Sequence, residues 1–363
     1  MKYEYTHFIP ENVAPFGATR IVIKMDGEEV ASIPASRFGD MSHPTGKPDY
    51  SVGWVSDCHT FKTATVADGE WQGNAKLKNA LDYFVECGCI MVIGCGDFTQ
   101  TGFYLNNRDD YNESQMLNYK AIIDQCPIPV FEIFGNHENY NGRNITENLA
   151  RAKELTRIPA TAYTVSSSPD SDEIVGTTVR PNRYAPVLDD LYILCGQSTS
   201  GEVMSADDFA WLANMLSKNT NRRCFVVVHS YMEGDSGDPD NRRENSIFGT
   251  WYKAAEFVAL LKQYPNVILF HGHSHMKFEH QAVDPVANYA TVKGYKSVHV
   301  SSLGMPRDID PTASADKDTP EDFKSSQCGR MDRYPDCIVQ NAMELGTTGV
   351  PKPEPLGTLK IMT

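Results

Sequence analysis

From about residue 50 to residue 304, the chain alternates short apolar runs with longer amphipathic stretches. The apolar runs are SVGWVS, IMVIG, PVFEIF, LYILCG, CFVVV and NVILF, and each has the length of one buried strand. Between them, stretches such as NAKLKNALDYFVECG repeat apolar residues every three or four positions, which predicts helices. Continuous apolar strands separated by helices are typical of sheets that are covered on both faces. The pattern therefore predicts an α/β fold.

Two of the predicted helices carry signals at their ends. Gly88 follows the first helical stretch at the position of a C-terminal cap. Ser205 and Asp208 have the spacing of a capping box at the start of SADDFAWLANMLSK. Further helices are predicted around ESQMLNYKAIIDQC, NITENLARAKEL and WYKAAEFVALLKQY. The predicted apolar face of the first helix consists of Leu77, Leu81, Phe84 and Val85.

The two ends of the chain have a different pattern. Near the start, TRIVIKMDGEEVASIPA predicts two strands around an Asp26-Gly27 turn, which is a strong hairpin signal. After Gly304 the sequence is polar and rich in turn residues, which indicates loops with a few weak strands. We therefore expect a small β hairpin addition in 1–48, a main domain in 49–305 and a loop-rich C-terminal extension in 306–363.

Composition narrows the classes of protein that need to be considered. The 363 residues are 41% hydrophobic with a net charge of −14, which argues against a broad basic surface for nucleic acid. Nine cysteines, an odd number without a CxxC pair, favour buried free thiols in a reducing compartment over a cysteine zinc site. The N-terminus lacks the pattern of a signal peptide, and no apolar run is long enough to span a bilayer. We expect a cytoplasmic protein with no membrane partner.

Side chains that can bind metals follow five of the predicted strands, at the points where these strands end. They are Asp57 and His59, Asp97, Asn136, His229, and His273 with His275. The carboxyl ends of strands in an open α/β sheet meet at one edge, and residues two apart in an extended segment point to the same side. Each motif alone has an ordinary explanation, such as a turn or a hydrogen-bonded histidine. Together, in this order, they predict a metal site.

The motifs resemble those of the calcineurin-like metallophosphoesterase superfamily, which are DxH, GD, GNH followed by an acid, an isolated His, and GHxH. In this chain they are Asp57-Cys58-His59, Gly96-Asp97, Gly135-Asn136-His137-Glu138, His229 and Gly272-His273-Ser274-His275. The resemblance covers roughly residues 50 to 304. It implies a two-sheet α/β/β/α sandwich with the metal site at the carboxyl ends of the strands.

The resemblance also implies two metal ions, bridged by Asp97 and by a hydroxide that attacks the phosphoester. The implied ligands of the first metal are Asp57, His59, Asp97 and His275. Those of the second are Asp97, Asn136, His229 and His273. Mixed oxygen and imidazole ligands suit Mn, Fe, Zn, Ni or Co. His137 resembles the family's catalytic histidine, which protonates the leaving oxygen; the alternative is that it only orients a ligand.

Departures from individual branches of the superfamily limit the substrate assignment. The residues after Asp97 lack the Asp-Arg-Gly of protein Ser/Thr phosphatases, and Gln100 stands where purple acid phosphatases have a tyrosine ligand. The remaining segment GDFTQTG is loosely similar to phosphodiesterase-like branches. His271, His280 and His299 match no ligand of the superfamily, and we interpret them as packed or hydrogen-bonded residues.

These observations predict a metal-dependent phosphoesterase that acts on a small or medium phosphoester, with a phosphodiester preferred. Two alternatives stay open. A nuclease would need a positive groove, against which the net charge of −14 argues. A structural or binding protein of a larger assembly, such as a phage-like particle, could use the N-terminal hairpin and the C-terminal extension for attachment.

Overall fold

The computed structural model describes residues 7–10, 18–25, 28–34, 47–60, 73–100, 109–139, 161–162, 179–180, 183–197, 202–230, 250–251, 254–278, 294–307, 325–345 and 357–362. The helices are α1 (Gly73–Glu86), α2 (Asp109–Ile123), α3 (Ala206–Ser217) and α4 (Ala254–Gln263), with a 3-10 turn at His137–Asn139. The strands are β1 (His7–Pro10), β2 (Ala18–Met25), β3 (Glu28–Pro34), β4 (Tyr50–Val55), β5 (Met91–Gly94), β6 (Val130–Glu132), β7 (Thr161–Ala162), β8 (Val179–Arg180), β9 (Arg183–Val187), β10 (Asp190–Leu194), β11 (Glu202–Met204), β12 (Cys224–Val227), β13 (Thr250–Trp251), β14 (Val267–His271), β15 (Lys296–His299), β16 (Gln327–Arg333), β17 (Cys337–Glu344) and β18 (Gly357–Met362).

Two large sheets form the centre of the fold. The first has the strand order β18-β17-β16-β4-β5-β6, in which β4, β5 and β6 are parallel. The second has the order β15-β14-β12-β10-β9, and only β9 is antiparallel to its neighbour. The parallel strands of each sheet therefore end together at one edge.

The sheets pack face to face, and helices cover their outer faces. Trp54 of β4 stacks on Phe270 of β14 with ring centroids 3.8 Å apart, inside an apolar cluster shared by both sheets. Alternate residues of β4 and β14 face the other way, where Val55 packs with α1 and α2, and Leu269 packs with α3 and α4. This arrangement is an α/β/β/α sandwich, which confirms the predicted fold class.

The predicted helix signals are present. Gly88 has a left-handed φ of 74°, as a C-terminal cap requires. Ser205 accepts a hydrogen bond from the backbone of Asp208, whose side chain binds the Ser205 N–H in return, so the capping box is complete. On α1, Leu77 is fully buried as expected, but so is its neighbour Lys76.

The N-terminal segment forms the predicted hairpin with one strand added. β2 and β3 pair antiparallel with Met25 opposite Glu28, and β1 pairs with β2 on the other side. The Asp26-Gly27 turn itself, the helix predicted in NITENLARAKEL and His280 lie outside the described residues.

The few strands expected in the C-terminal segment are present, but they belong to the first sheet and not to a separate loop-rich extension. The strands β16, β17 and β18 make up half of the first sheet, with β16 antiparallel to β4. The sequence pattern did not predict these strands as part of the sheet, because β16 contains charged side chains, and these are buried beside polar partners. Asp332 accepts hydrogen bonds from Ser51 (2.6 Å), Arg330 (2.9 Å) and Asn341 (3.1 Å). Burial of the charged side chains of β16 is therefore possible because polar partners, including Ser51 of β4, accept hydrogen bonds from them or donate hydrogen bonds to them.

All nine cysteines lie in the described ranges and are free thiols, most of them buried. Cys58 is buried in the apolar cluster beneath α1, in agreement with the expectation of buried free thiols. Across the described part of the chain, no helix combines the length and the apolar character that crossing a bilayer requires.

Candidate metal centre

The carboxyl ends of β4, β5, β6, β12 and β14 converge on one buried cluster of polar side chains. The cluster contains every predicted ligand and the predicted catalytic histidine, namely Asp57, His59, Asp97, Asn136, His137, His229, His273 and His275. The loops after these strands are bound to one another by backbone hydrogen bonds. The N–H of Asp57 donates to Gly96 O, and the N–H of His59 donates to Asp97 O, each at 3.0 Å.

One group of ligand atoms consists of Asp57, His59 and His275, whose atoms all lie within 4.8 Å of one another. Nε2 of His275 is 3.1 Å from Oδ1 of Asp57 and 3.1 Å from Nε2 of His59. Two imidazole nitrogens and a carboxylate oxygen at these distances face a common point, where a cation would bind.

A second group consists of Asp97, His229 and His273, together with Asp57. Nε2 of His229 is 3.1 Å from Oδ2 of Asp97 and 2.9 Å from Oδ1 of Asn136. Asn136 therefore joins this group through its amide oxygen. Asp57 belongs to both groups. The carboxylates of Asp57 and Asp97 therefore lie between the imidazoles of the first group, His59 and His275, and those of the second, His229 and His273.

A backbone contact on the side of the ring away from the cluster fixes the orientation of His229. Its Nδ1 lies 2.7 Å from the carbonyl oxygen of Cys95, which can only accept, so Nδ1 carries the proton and Nε2 faces the cluster. Burial lowers the pKa of His229, but the charges of Asp97 and Asp57, together with the hydrogen bonds to Asp97 and Cys95, outweigh burial and raise the pKa to about 9. The carboxylates of Asp97 and Asp57 therefore favour a positive charge at this position, which a bound cation would also supply.

The two carboxylates fit a metal site because each is oriented through one oxygen only. Oδ2 of Asp57 accepts from Ser56 Oγ (2.5 Å) and from the N–H of His273 (2.8 Å). Oδ1 of Asp97 accepts from the N–H of His137 (2.9 Å). The other oxygens, Oδ1 of Asp57 and Oδ2 of Asp97, are buried and accept no hydrogen bond of good geometry from the described residues. Such oxygens beside several imidazoles are suitable ligands for divalent or trivalent ions.

Both carboxylates are held in the ionised form that metal binding needs. Burial by itself raises the pKa of Asp57 and of Asp97. The imidazoles of His275 and His229 outweigh burial at Asp57, and those of His229 and His137 outweigh it at Asp97. The pKa of each carboxyl is consequently well below its ordinary value.

The backbone of the ligand loops is strained. Six non-glycine residues of the described ranges have a positive φ, and five of them are predicted ligands. These five are Asp57 (49°), His59 (49°), Asp97 (53°), His273 (74°) and His275 (62°). The prediction that extended backbone places Asp57 with His59, and His273 with His275, on one side was therefore wrong, because all four residues have a positive φ. Left-handed turns bring the side chains together, at a cost of about 1–3 kcal/mol each that the surrounding structure must offset.

The family model for calcineurin-like phosphoesterases matches residues 50–277, more than half of the chain. The chain belongs to the calcineurin-like phosphoesterase family. Membership confirms the resemblance and the enzyme class, a metal-dependent phosphoric ester hydrolase.

Solved structures agree with the fold. A dimetal phosphatase from Danio rerio is 14% identical with a TM-score of 0.54, and the match covers 87% of this chain and 99% of that one. The purple acid phosphatase PPD1 from yellow lupin (Lupinus luteus) seeds is 12% identical with a TM-score of 0.50, covering 86% of this chain and 53% of that one. At these identities the likeness concerns the fold alone. No curated protein sequence matches the chain.

In this calcineurin-like phosphoesterase, Glu138 connects two of the ligand loops. One carboxylate oxygen accepts from the N–H groups of Asp97 (3.1 Å) and Gly135 (2.7 Å). The other accepts from the N–H (2.9 Å) and the hydroxyl (3.0 Å) of Thr99. Burial and the charge of Asp97 raise the pKa of Glu138 to about 8, although the backbone donors favour the carboxylate. The sequence marked Glu138 only as part of a motif, and its contacts show a role in holding Asp97.

A second support of the phosphoesterase centre comes from the segment after β15, which sequence reasoning did not single out. Ser302 Oγ and the N–H of Gly304 both donate to the carbonyl oxygen of Asp57, at 2.9 and 3.0 Å. Nζ of the buried Lys76 donates to Gly304 O at 2.5 Å. The sequence offers one indication of this contact, namely that Lys76 stands next to Leu77 of the predicted apolar helix face.

Close backbone approach explains two glycines of the family motifs. A Cβ on Gly272 would lie 1.8 Å from Ser56 Oγ and 2.7 Å from Oδ2 of Asp57. A Cβ on Gly135 would lie 2.2 Å from Oδ1 of Asp97. In each case a side chain would displace a predicted ligand.

His137 lies at the edge of the cluster. Its side chain is 14% exposed, against 1% for Asp97 and His59. Nε2 of His137 is 3.8 Å from Oδ2 of Asp97, and its ring meets the ring of His59 edge-on at 4.7 Å. Burial lowers the pKa of His137, and the charge of Asp97 opposes this effect. A histidine in this position can reach both the centre and a molecule that approaches from solvent.

Proposed function

We propose that this phosphoesterase hydrolyses a small or medium phosphodiester at a centre of two metal ions. The observation that carries the proposal is the convergence of two half-satisfied buried carboxylates with imidazoles from both sheets. When bound, two such ions polarise a phosphate oxygen and activate water. The preference for a diester follows the similarity of GDFTQTG to phosphodiesterase-like branches.

The proposed ligands follow the two-metal pattern that the resemblance implies, with Asp97 as the bridging ligand; Asp97 lies in one group with His229 and His273 and in another with His59 and His137. We assign Asp57, His59, Asp97 and His275 to one ion, and Asp97, Asn136, His229 and His273 to the other. The short distances within each group support this division. The donor set suits Mn, Fe, Zn, Ni or Co, because it combines carboxylate and amide oxygens with imidazoles and contains no thiolate.

His137 is the proposed acid that protonates the leaving oxygen. Its partly exposed ring lies beside the ligands. Its backbone N–H donates a hydrogen bond of 2.9 Å to Oδ1 of Asp97. The ring can therefore approach a substrate oxygen while the backbone keeps its distance to the centre constant. In the alternative role, His137 would only orient a ligand, and its ring would transfer no proton.

The nine free thiols also support the proposal that the protein works in a reducing compartment, the cytoplasm.

The test uses p-nitrophenyl phosphate and bis-p-nitrophenyl phosphate with protein loaded with Mn²⁺, Zn²⁺ or Fe. We expect turnover that is faster with the diester, that is lost in Asp97→Ala together with bound metal, and that is lost in His137→Ala with metal retained. Turnover of neither substrate with any metal would sink the enzyme proposal and favour an attachment role in a larger assembly. Faster turnover of the monoester would overturn the diester preference alone.

A further inference from the structure

Two more histidines lie directly behind the metal ligands. His271 of β14 and His299 of β15 are opposite each other in the parallel pairing, and both are at most 1% exposed. Their rings are 5.2 Å apart between centroids, and Nδ1 of one is 3.4 Å from Nδ1 of the other. Neither residue belongs to the groups of predicted ligand atoms.

A serine lies at each end of this histidine pair. Nε2 of His299 is 3.2 Å from Ser274 Oγ, and Nε2 of His271 is 3.2 Å from Ser297 Oγ. A neutral imidazole has one donor and one acceptor nitrogen, and a hydroxyl can donate and accept. The four side chains can therefore form one continuous chain of hydrogen bonds.

Ser274 is the member of this chain that reaches the metal centre. It lies between His273 and His275 in the sequence, is fully buried, and its Oγ also accepts the N–H of Met276 at 3.2 Å. Both neighbouring ligands have positive φ angles, of 74° and 62°. A contact at the middle residue of such a strained turn opposes its relaxation.

We propose that His299 is a positioning residue that acts through Ser274 to keep His273 and His275 oriented for metal binding. His299 belongs to β15, so the hydrogen bond connects the ligand loop to the rigid second sheet. One of the two ligands belongs to each proposed ion, so His299 influences both. This inference rests on the metal centre of the proposed function.

The test measures Mn²⁺ affinity by calorimetric titration of metal-free protein, without reference to activity. We expect Ser274→Ala and His299→Leu to bind Mn²⁺ about 10- to 100-fold more weakly than the native protein, as is typical when a residue that orients a ligand is removed. The double variant should be no weaker than the weaker single variant, because both changes remove the same hydrogen bond. His299→Gln, whose amide can reach the position of Nε2, should recover most of the affinity.

The matched control is Ser297→Ala, which removes a similar buried hydrogen bond from the far end of the chain. Its melting temperature should fall about as much as that of Ser274→Ala, with Mn²⁺ affinity within about twofold of native. The inference is overturned if Ser274→Ala binds Mn²⁺ within about twofold of native, or if Ser297→Ala weakens binding equally. If His299→Leu does not fold, His299→Asn takes its place, because its shorter side chain keeps an amide but does not reach Ser274; Ser274→Ala alone does not isolate His299, since it also removes the acceptor of the Met276 N–H. A native protein that binds none of Mn²⁺, Zn²⁺ and Fe would refute the metal centre itself, and the positioning role with it.

Discussion

Replacing Glu138 by glutamine would separate the support of the ligand loops from the ligands themselves. The carboxylate accepts four hydrogen bonds, two at each oxygen, from Asp97, Gly135 and Thr99. Glutamine keeps one oxygen and puts an NH₂ group where the other was. With the NH₂ group beside Thr99, the Thr99 hydroxyl can turn and accept from it, and the Thr99 N–H is left without an acceptor. With the amide turned the other way, the N–H groups of Asp97 and Gly135 would both face a donor.

The expected loss of stability follows from the number of buried donors that lose their acceptor. A buried donor without an acceptor costs about 1–3 kcal/mol, so the less costly orientation, which leaves one such donor, lowers the free energy of unfolding by about 1–3 kcal/mol. Part of this cost is avoided if the loops shift, but a shift displaces Asp97. Glu138→Gln should therefore lose stability, Mn²⁺ affinity or both.

Glu132→Gln is the matched control. Glu132 is also a buried glutamate whose pKa is raised by burial. One of its oxygens accepts from the Tyr119 hydroxyl at 2.7 Å, the other accepts no hydrogen bond of good geometry from the described residues, and the N–H of Gly96 also favours the carboxylate. Glutamine can keep the first contact and loses none at the second oxygen, so the expected cost is below about 1 kcal/mol.

The assay is urea unfolding of the metal-free proteins, followed by titration with Mn²⁺. We expect Glu138→Gln to be about 1–3 kcal/mol less stable than Glu132→Gln, or to bind Mn²⁺ at least about tenfold more weakly. Equal stability and equal affinity in the two variants would refute it, since the difference in accepted hydrogen bonds is the only basis of the prediction.

Four further outcomes are expected. Asp97→Ala should fold and retain less than half of the native metal content in elemental analysis, because both proposed ions lose a ligand. Gly272→Ala should lose metal through the clash with Ser56, whereas Gly88→Ala, with open space around its Cβ position, should cost only about 1 kcal/mol in urea unfolding and keep its metal. Removing metal with a chelator should lower the melting temperature, and Mn²⁺ should restore it in a concentration-dependent way; an unchanged melting temperature would contradict a cluster that needs cations. Ser205→Ala should destabilise the fold by about 1 kcal/mol through the lost cap without changing turnover.

Much of the fold could be predicted because the central elements carry local signals. The strands of the parallel regions are continuous apolar runs, and their order along the chain matches the observed β/α alternation. The capping box of Ser205 and the left-handed Gly88 depend on neighbouring residues only, and both are present. The C-terminal strands carry no such signal, because the charged residues of β16 are compatible with burial only beside partners such as Ser51, 281 positions away from Asp332.

The candidate site shows the same division. The sequence by itself determined which side chains can bind metal and that they follow strand ends, because parallel strands bring their carboxyl ends to one edge. Only the tertiary structure decided how these side chains meet. The left-handed backbone of Asp57 is stable because Ser302 and Gly304 hold its carbonyl oxygen, and these contacts join segments about 245 positions apart. Strain at a ligand is offset by contacts distant in the chain, so a local pattern cannot reveal it.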